Sequence, residues 1–161
     1  MMFTVRAVKY SKEFLGIDMA NEDCSLQALK VVNEFMIDMN SWEVKFFNVR
    51  KENLAAGGDD PAIKAHFSVK LENVLQKYAL KDKSNFGRLI DLGCTNPPTY
   101  DPHTDVIEVV SVGDDEIVVQ IQQTVGLEVT SHIFMVLKGG EWKIKKKESL
   151  GYNDKWKRSP L

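Results

Sequence analysis

Apolar residues recur at three- and four-residue steps through the first half of the chain and at two-residue steps through the second. Leu29, Val32, Met36, Met39 and Phe46 fall at helical spacing, with Lys30, Glu34, Asp38, Ser41 and Lys45 on another side. This predicts a long amphipathic helix from about Leu26 to Leu54. Val31, Ile37, Trp42, Val44 and Phe47 widen its apolar surface, so the helix is expected to be covered on more than one side. Asn21 to Ser25 supplies capping residues ahead of it, Asp23 and Ser25 among them. Gly57-Gly58 ends it, because glycine takes the left-handed conformation of a helix terminus without steric cost. Asp60-Pro61 opens a second helix, with aspartate as cap and proline in the first turn. Its buried stripe is Ile63, Phe67, Leu71, Val74, Leu75 and Tyr78, opposite a polar row of Lys64, Ser68, Glu72 and Gln76.

Lys81 to Cys94 is ambiguous: Phe86, Leu89, Ile90 and Leu92 could form a short helix limited by Gly87 and Gly93. Thr95 to Pro102 holds three prolines and reads as a loop, since each removes an amide donor and extends the residue before it. Period-two patterning then predicts four strands, at 106–112, 116–125, 127–138 and 141–150. Gly113 to Asp115, Gly126 and Gly139-Gly140 mark the turns. In the last strand Trp142 and Ile144 are expected to face the core, and Lys143, Lys145 and Lys147 to face water. Short connections make neighbouring strands antiparallel. Helices first and a strand meander last define an α+β fold, with the sheet covering the helices on one face.

Composition changes this picture little. The 161 residues make about one domain, with 43% hydrophobic and 27% charged residues. A formal net charge of -2 supplies no basic field for nucleic acid. No segment approaches the roughly 20 apolar residues of a membrane helix. Charged residues interrupt Met1 to Ala20, so no signal peptide is expected there and the protein is assigned to the cytoplasm. Residues 1–20 form an N-terminal extension in which Phe3, Val5 and Ala7 alternate weakly, and residues 21–161 the single domain.

The candidate chemistry is sparse. Cys24 and Cys94 are far apart and read as free thiols. Three histidines at wide separation provide no metal-ligand spacing, and neither a phosphate-binding loop nor a nucleophile elbow is present. No cofactor is implied. Tyr100, Asp101, His103, Asp105 and His132 are the groups that could serve a cavity enzyme. Against this, aspartate before proline is ordinary turn chemistry, and a histidine in a sheet is more often inert. His66 falls beside the solvated row of the second helix. The basic C-terminal end (Lys143, Lys145, Lys146, Lys147, Lys155, Lys157, Arg158) reads as a solvated or edge-protecting face, or as a contact for an acidic partner.

Three segments together resemble the NTF2-fold immunity proteins of bacterial polymorphic toxin systems. They are Met36 to Phe47, with its Met39-Asn40 and Trp42-Glu43; Pro97-Pro98-Thr99-Tyr100-Asp101-Pro102 followed by Asp105-Val106-Ile107; and Gly140-Glu141-Trp142-Lys143-Ile144-Lys145-Lys146-Lys147 with Lys155-Trp156. The similarity runs over roughly residues 24–161, and the proline-tyrosine-aspartate loop is its most specific part. The resemblance implies an NTF2-like cone, helices packed in a curved antiparallel sheet of about four strands. It also implies function by contact: an immunity protein that binds and neutralises a cognate toxin domain, without catalysis. Two rivals stay open, an NTF2-like isomerase, dehydratase or small-ligand binder, and an adaptor or homodimer built on face-to-face sheets. For the toxin contact, Tyr100, Tyr152 and Trp156 are the expected exposed aromatic anchors, with packing over the cone ends as the alternative for all three, Trp156 above all. Asp101 and Asp105, together with Asp114, Asp115 and Glu116, would attract a basic partner or simply serve as turn residues.

Overall fold

Two helices precede a five-stranded antiparallel meander in the computed structural model, which describes residues 19–161. The weak alternation at Phe3, Val5 and Ala7 lies outside those residues. So does the expected extension over 1–20, apart from its last two positions, which open the first helix.

Helix α1 spans Met19–Ala55 and α2 spans Pro61–Tyr78. α1 therefore starts earlier than its capping cluster suggested. The cluster instead lies inside the helix, where Ser25 is buried and its Oγ donates to the Asn21 carbonyl at 2.8 Å. Gln27 donates to Asp23 one turn back at 2.9 Å. Back-bonding of this kind lets cap-type residues sit within a helix. The far end follows the sequence reading. Gly57 has φ +80, and the Gly57 and Gly58 amides reach back to the Leu54 and Asn53 carbonyls. Asp60 caps α2, its carboxylate accepting from the Ala62 amide at 2.9 Å. The ambiguous stretch becomes a single 3-10 turn, Gly87–Leu89.

Strands β1 (Val106–Val112), β2 (Glu116–Gln122), β3 (Thr130–Lys138), β4 (Glu141–Leu150) and β5 (Trp156–Ser159) lie in sequential order. The sheet is curved and unclosed. The fifth strand was not anticipated. Its residues Trp156-Lys157-Arg158-Ser159 carry no apolar alternation, and only pairing with β4 makes them a strand. β5 covers β4 only from Lys147 to Leu150, so of the β4 lysines it removes only Lys147 from the edge.

The core forms where α1 and α2 lie against one face of the sheet. Val32, Phe35, Met36, Met39 and Phe46 of α1 and Phe67, Leu71 and Leu75 of α2 meet Ile117, Val119 and Ile121 of β2, Ile133 and Met135 of β3, and Trp142 and Ile144 of β4. Trp42, Phe46 and Phe67 stack in series, and the Trp42 indole donates to the Phe67 carbonyl at 2.8 Å. Ile37 and Val44, expected to widen the apolar surface of α1, remain exposed. The inner residues of β3 are its odd positions, so His132 and Phe134 occupy the outer face.

A register shift in β4 alters one expectation. Phe134 pairs with Lys146 but Met135 pairs with Ile144, so Lys145 is the extra residue of a bulge. Beyond it the alternation changes phase. Lys145 remains exposed, whereas Lys147 turns inward and is only 6% exposed. The expectation that Lys147 faces water is therefore corrected, and the bulge is the reason.

Leu75 is fully buried between α2 and the sheet. Leu75→Ala is expected to destabilise the protein by about 2–5 kcal/mol in denaturant titration. A loss under about 1 kcal/mol would mean that the α2 stripe is not a close-packed contact.

Candidate functional site in the open end of the cone

The register places the start of β1, the end of β2, the start of β3, the end of β4 and the start of β5 at one end of the sheet. Val106 faces Gln122, Gln122 faces Thr130, Ser131 faces Ser149, and Leu150 faces Trp156. The loop 95–105, the connection 123–129 and the turn 151–155 therefore gather at this end. A cavity of about 440 Å³ opens there. The Thr95–Tyr100 loop forms one wall; Ile121, Gln123 and the 125–129 connection form the other; Ser131 and Lys147 lie among its lining residues.

The wall is held by α1. Glu43 is 0% exposed. Its Oε1 accepts from the Thr95 amide at 2.9 Å and from Arg88 Nη2 at 2.9 Å, and its Oε2 from the Thr99 amide at 2.8 Å. The hydroxyls of Thr95 and Thr99 also point at it. Arg88 lies over the Trp42 ring and donates from Nε to the Gly93 carbonyl, while its Nη1 is buried without an acceptor among the described residues. One turn before Glu43, Asn40 donates to the Tyr100 carbonyl at 2.7 Å. A carboxylate is costly to bury, and ionic and amide donors around it offset that cost. Among the segments that carry the resemblance, Met39-Asn40 and Trp42-Glu43 thus grip the proline loop directly.

Tyr100 is the point where all three segments meet. It is 1% exposed, packed edge-on against Phe35, and its hydroxyl accepts from Lys147 Nζ at 3.0 Å. The expectation of an exposed anchor at Tyr100 is corrected: Asn40 and Glu43 draw the loop onto the helix and carry the ring into the core. Tyr152 is fully solvent-exposed in the β4–β5 turn. Trp156 is 39% exposed and stacks on His132, ring centroids 3.8 Å apart.

Of the groups considered for catalysis, only Tyr100 lines the cavity. His132 sits on the outer face, with Nε2 3.1 Å from Gln120 Oε1; burial pushes its pKa below the ordinary imidazole value, and Glu148 partly opposes this. Asp101 and Asp105 serve their own loop. Asp101 accepts from the His103 amide and Asp105 from the Asp101 amide, each at 2.9 Å. Burial raises the Asp105 pKa, the Asp101 amide opposes that, and the Asp101 charge adds to it. His66 is exposed, and both cysteines are free and half-buried. Among the described residues there is no cluster of three or more metal-ligating side chains. No described helix is long and apolar enough to cross a membrane.

Helices laid in a curved sheet, around a cavity whose lining includes a phenol and an ammonium, define an NTF2-like cone. The family model described as NTF2 fold immunity protein matches residues 27–160. Immunity protein RhsIA of Dickeya dadantii (strain 3937) is 30% identical over 131 residues, covering 81% of this chain and 93% of that protein. The chain belongs to the NTF2-fold immunity proteins. No solved structure matches it.

Arg88 was not singled out in the sequence, and Glu43 only as part of the Trp42-Glu43 pair that carries the resemblance, without a role. A glutamate at a helix position flanked by Trp42 and Phe46 is the one available signal, because the buried stripe passes through it. Glu43→Gln leaves Arg88 buried without a counter-charge and is expected to cost about 3–5 kcal/mol in denaturant titration. Adding Arg88→Met should recover part of that loss; a double variant less stable than Glu43→Gln would contradict the clamp.

Asp105 supplies a pH test. Its folded pKa lies above the ordinary 3.8, so its favourable contribution is present below that value and lost as pH rises through the folded pKa. Asp105→Asn keeps an acceptor for the Asp101 amide without the desolvated charge. At pH 7 the Asn variant should be at least as stable as the parent, whereas Asp105→Ala should lose about 1 kcal/mol. Chemical denaturation of the three proteins at pH 3 and pH 7 reads the difference, and an Asn variant weaker than the parent only at pH 7 would refute it.

Proposed function

We propose that this protein protects a bacterial cell by binding its cognate toxin domain in the cytoplasm through the open end of the cone, and that it does so without catalysis. One observation carries the choice of surface. Val106, Val125, Leu127, Tyr152 and Trp156 are all exposed large apolar residues, and the strand register brings them to the same end of the sheet. Leu127 is 84% exposed beside the cavity. Exposed apolar residues gathered in one region mark interaction sites, and aromatic anchors concentrate binding energy. Protection at cellular concentration calls for a nanomolar dissociation constant, worth about 12 kcal/mol.

Within this surface Tyr152 and Trp156 are the anchors, and His132 supports the Trp156 ring from beneath. Asp101 and Asp105, half-buried and engaged with their own loop, contribute long-range attraction to a basic toxin and so act on association rate and salt dependence. The outer face of the sheet away from the Trp156–His132 stack is left for self-association, and neither nucleic acid nor membrane is a partner. The relative in Dickeya dadantii carries the name of an immunity protein, which supports the same role here.

Co-expression with the toxin domain encoded beside it tests the proposal. The parent protein should restore growth and co-purify with the toxin. Leu127→Asp and Tyr152→Ala, both at exposed positions, should abolish or sharply weaken this while melting as the parent does. His132→Phe keeps a ring under Trp156 and removes the imidazole, and it should protect as the parent does. Rescue by Leu127→Asp together with Tyr152→Ala would move the contact elsewhere. Loss of protection in folded His132→Phe would argue for imidazole chemistry.

A further inference from the structure

Lys147 is an ammonium brought into the floor of the open end by the β4 bulge. No carboxylate lies within 4.0 Å of its Nζ among the described residues. Its protein partner is the Tyr100 hydroxyl at 3.0 Å, and it lies 4.8 Å from the centre of that ring. An ammonium has three donors; one is used here. The Tyr100 hydroxyl accepts from Lys147, and its own proton meets no acceptor among the described residues.

Asn96 also lines the cavity, exposed and without a side-chain hydrogen bond among the described residues, whereas the remaining polar side chains of the wall are engaged within the protein. Thr95 and Thr99 hydroxyls turn to Glu43, Gln123 bonds the Thr99 carbonyl and the Val129 amide, and Ser131 bonds Ser149. Among the buried lining groups what remains is a pair of adjacent donors, one charged, in a cavity whose other lining is largely apolar: Pro97, Ile121, Val125, Leu127 and Val129. A cation out of water without a counter-charge is unfavourable, and an anion accepting from both donors removes that penalty. The volume suits one or two amino-acid side chains.

We infer that the cavity takes a carboxylate borne on an apolar stem, supplied by an acidic residue that the toxin inserts into the open end, with Lys147 and the Tyr100 hydroxyl as its two donors. The inference rests on the open end being the toxin surface and deepens that reading by naming the group recognised. A charge matched inside a largely apolar cavity acts mainly on the lifetime of the complex, in contrast to the rim acids, which act on encounter.

Lys147→Met and Tyr100→Phe preserve the shape of the floor and remove one donor each. Affinity for the co-purified toxin, with melting temperature as the control of fold, should fall roughly 30-fold or more in Lys147→Met, chiefly through faster dissociation, and less in Tyr100→Phe. Hexanoate should compete with the toxin for the parent protein, and hexanamide should not. If Lys147→Met folds and binds the toxin as the parent does, the inference fails, and Leu127→Asp then tells the two readings apart. Loss of binding in Leu127→Asp leaves the open end as the contact; retained binding removes that reading as well. Hexanoate binding that depends on Lys147, with unchanged toxin affinity, overturns the toxin as source and makes the cavity a site for a free small acid. Should Lys147→Met fail to fold, Lys147→Gln and the hexanoate competition carry the test, and absence of competition overturns the proposal.

Discussion

Glu43 is a carboxylate with no access to water, and the open end of this protein depends on how it is satisfied. Arg88 supplies charge; the Thr95 and Thr99 amides supply direction. Because those amides belong to a loop of three prolines, the loop has few donors of its own and little alternative to this arrangement. Removing the loop would leave the carboxylate short of partners, and removing the carboxylate would leave the loop without an anchor. Asn40, one turn away on the same helix, extends the grip to the Tyr100 carbonyl. A rigid wall follows, and a concave binding surface needs one: a preformed site loses less ordering entropy on association.

The second determinant is a single extra residue in β4. Without the bulge at Lys145, strict alternation would send Lys147 to the outer face beside Lys143. With it, an ammonium enters the floor of the cavity and meets Tyr100, the residue that the Glu43 clamp has carried inward. Two unrelated local features thus converge on one phenol. The same bulge leaves Trp142 and Ile144 in the core, so the change of phase costs the hydrophobic packing little.

The distribution of function follows from these constraints. Side chains that looked chemically promising are engaged in holding loops, as with Asp101 and Asp105, or lie on the outer face, as with His132. Of the exposed apolar residues at the open end, Val125, Leu127 and Tyr152 lie on connections, where backbone position is set by the strands behind them and side chains are free to meet a partner, and Val106 and Trp156 are the first residues of β1 and β5. That division suits a protein whose family acts by neutralising a toxin.

Much of the fold was legible along the chain. The α2 stripe of Phe67, Leu71 and Leu75, the glycine stop after α1, and the alternation of β1 to β4 are local patterns, set by which residues bury and which do not at a given period. The three segments that carry the family resemblance were also legible, though not the reason they belong together. β5 was not, because four polar residues become a strand only when β4 offers a partner. Nor were the burial of Tyr100 and Lys147 or the pairing of Glu43 with Arg88. Each depends on contacts between residues 45 or more positions apart, or on a slip of one residue in strand pairing, and neither leaves a periodic trace. The sequence by itself determined the two helices, the first four strands and the family; the tertiary structure added β5 and decided which polar groups face the cavity, because a buried charge takes its meaning from the partners that the fold brings to it.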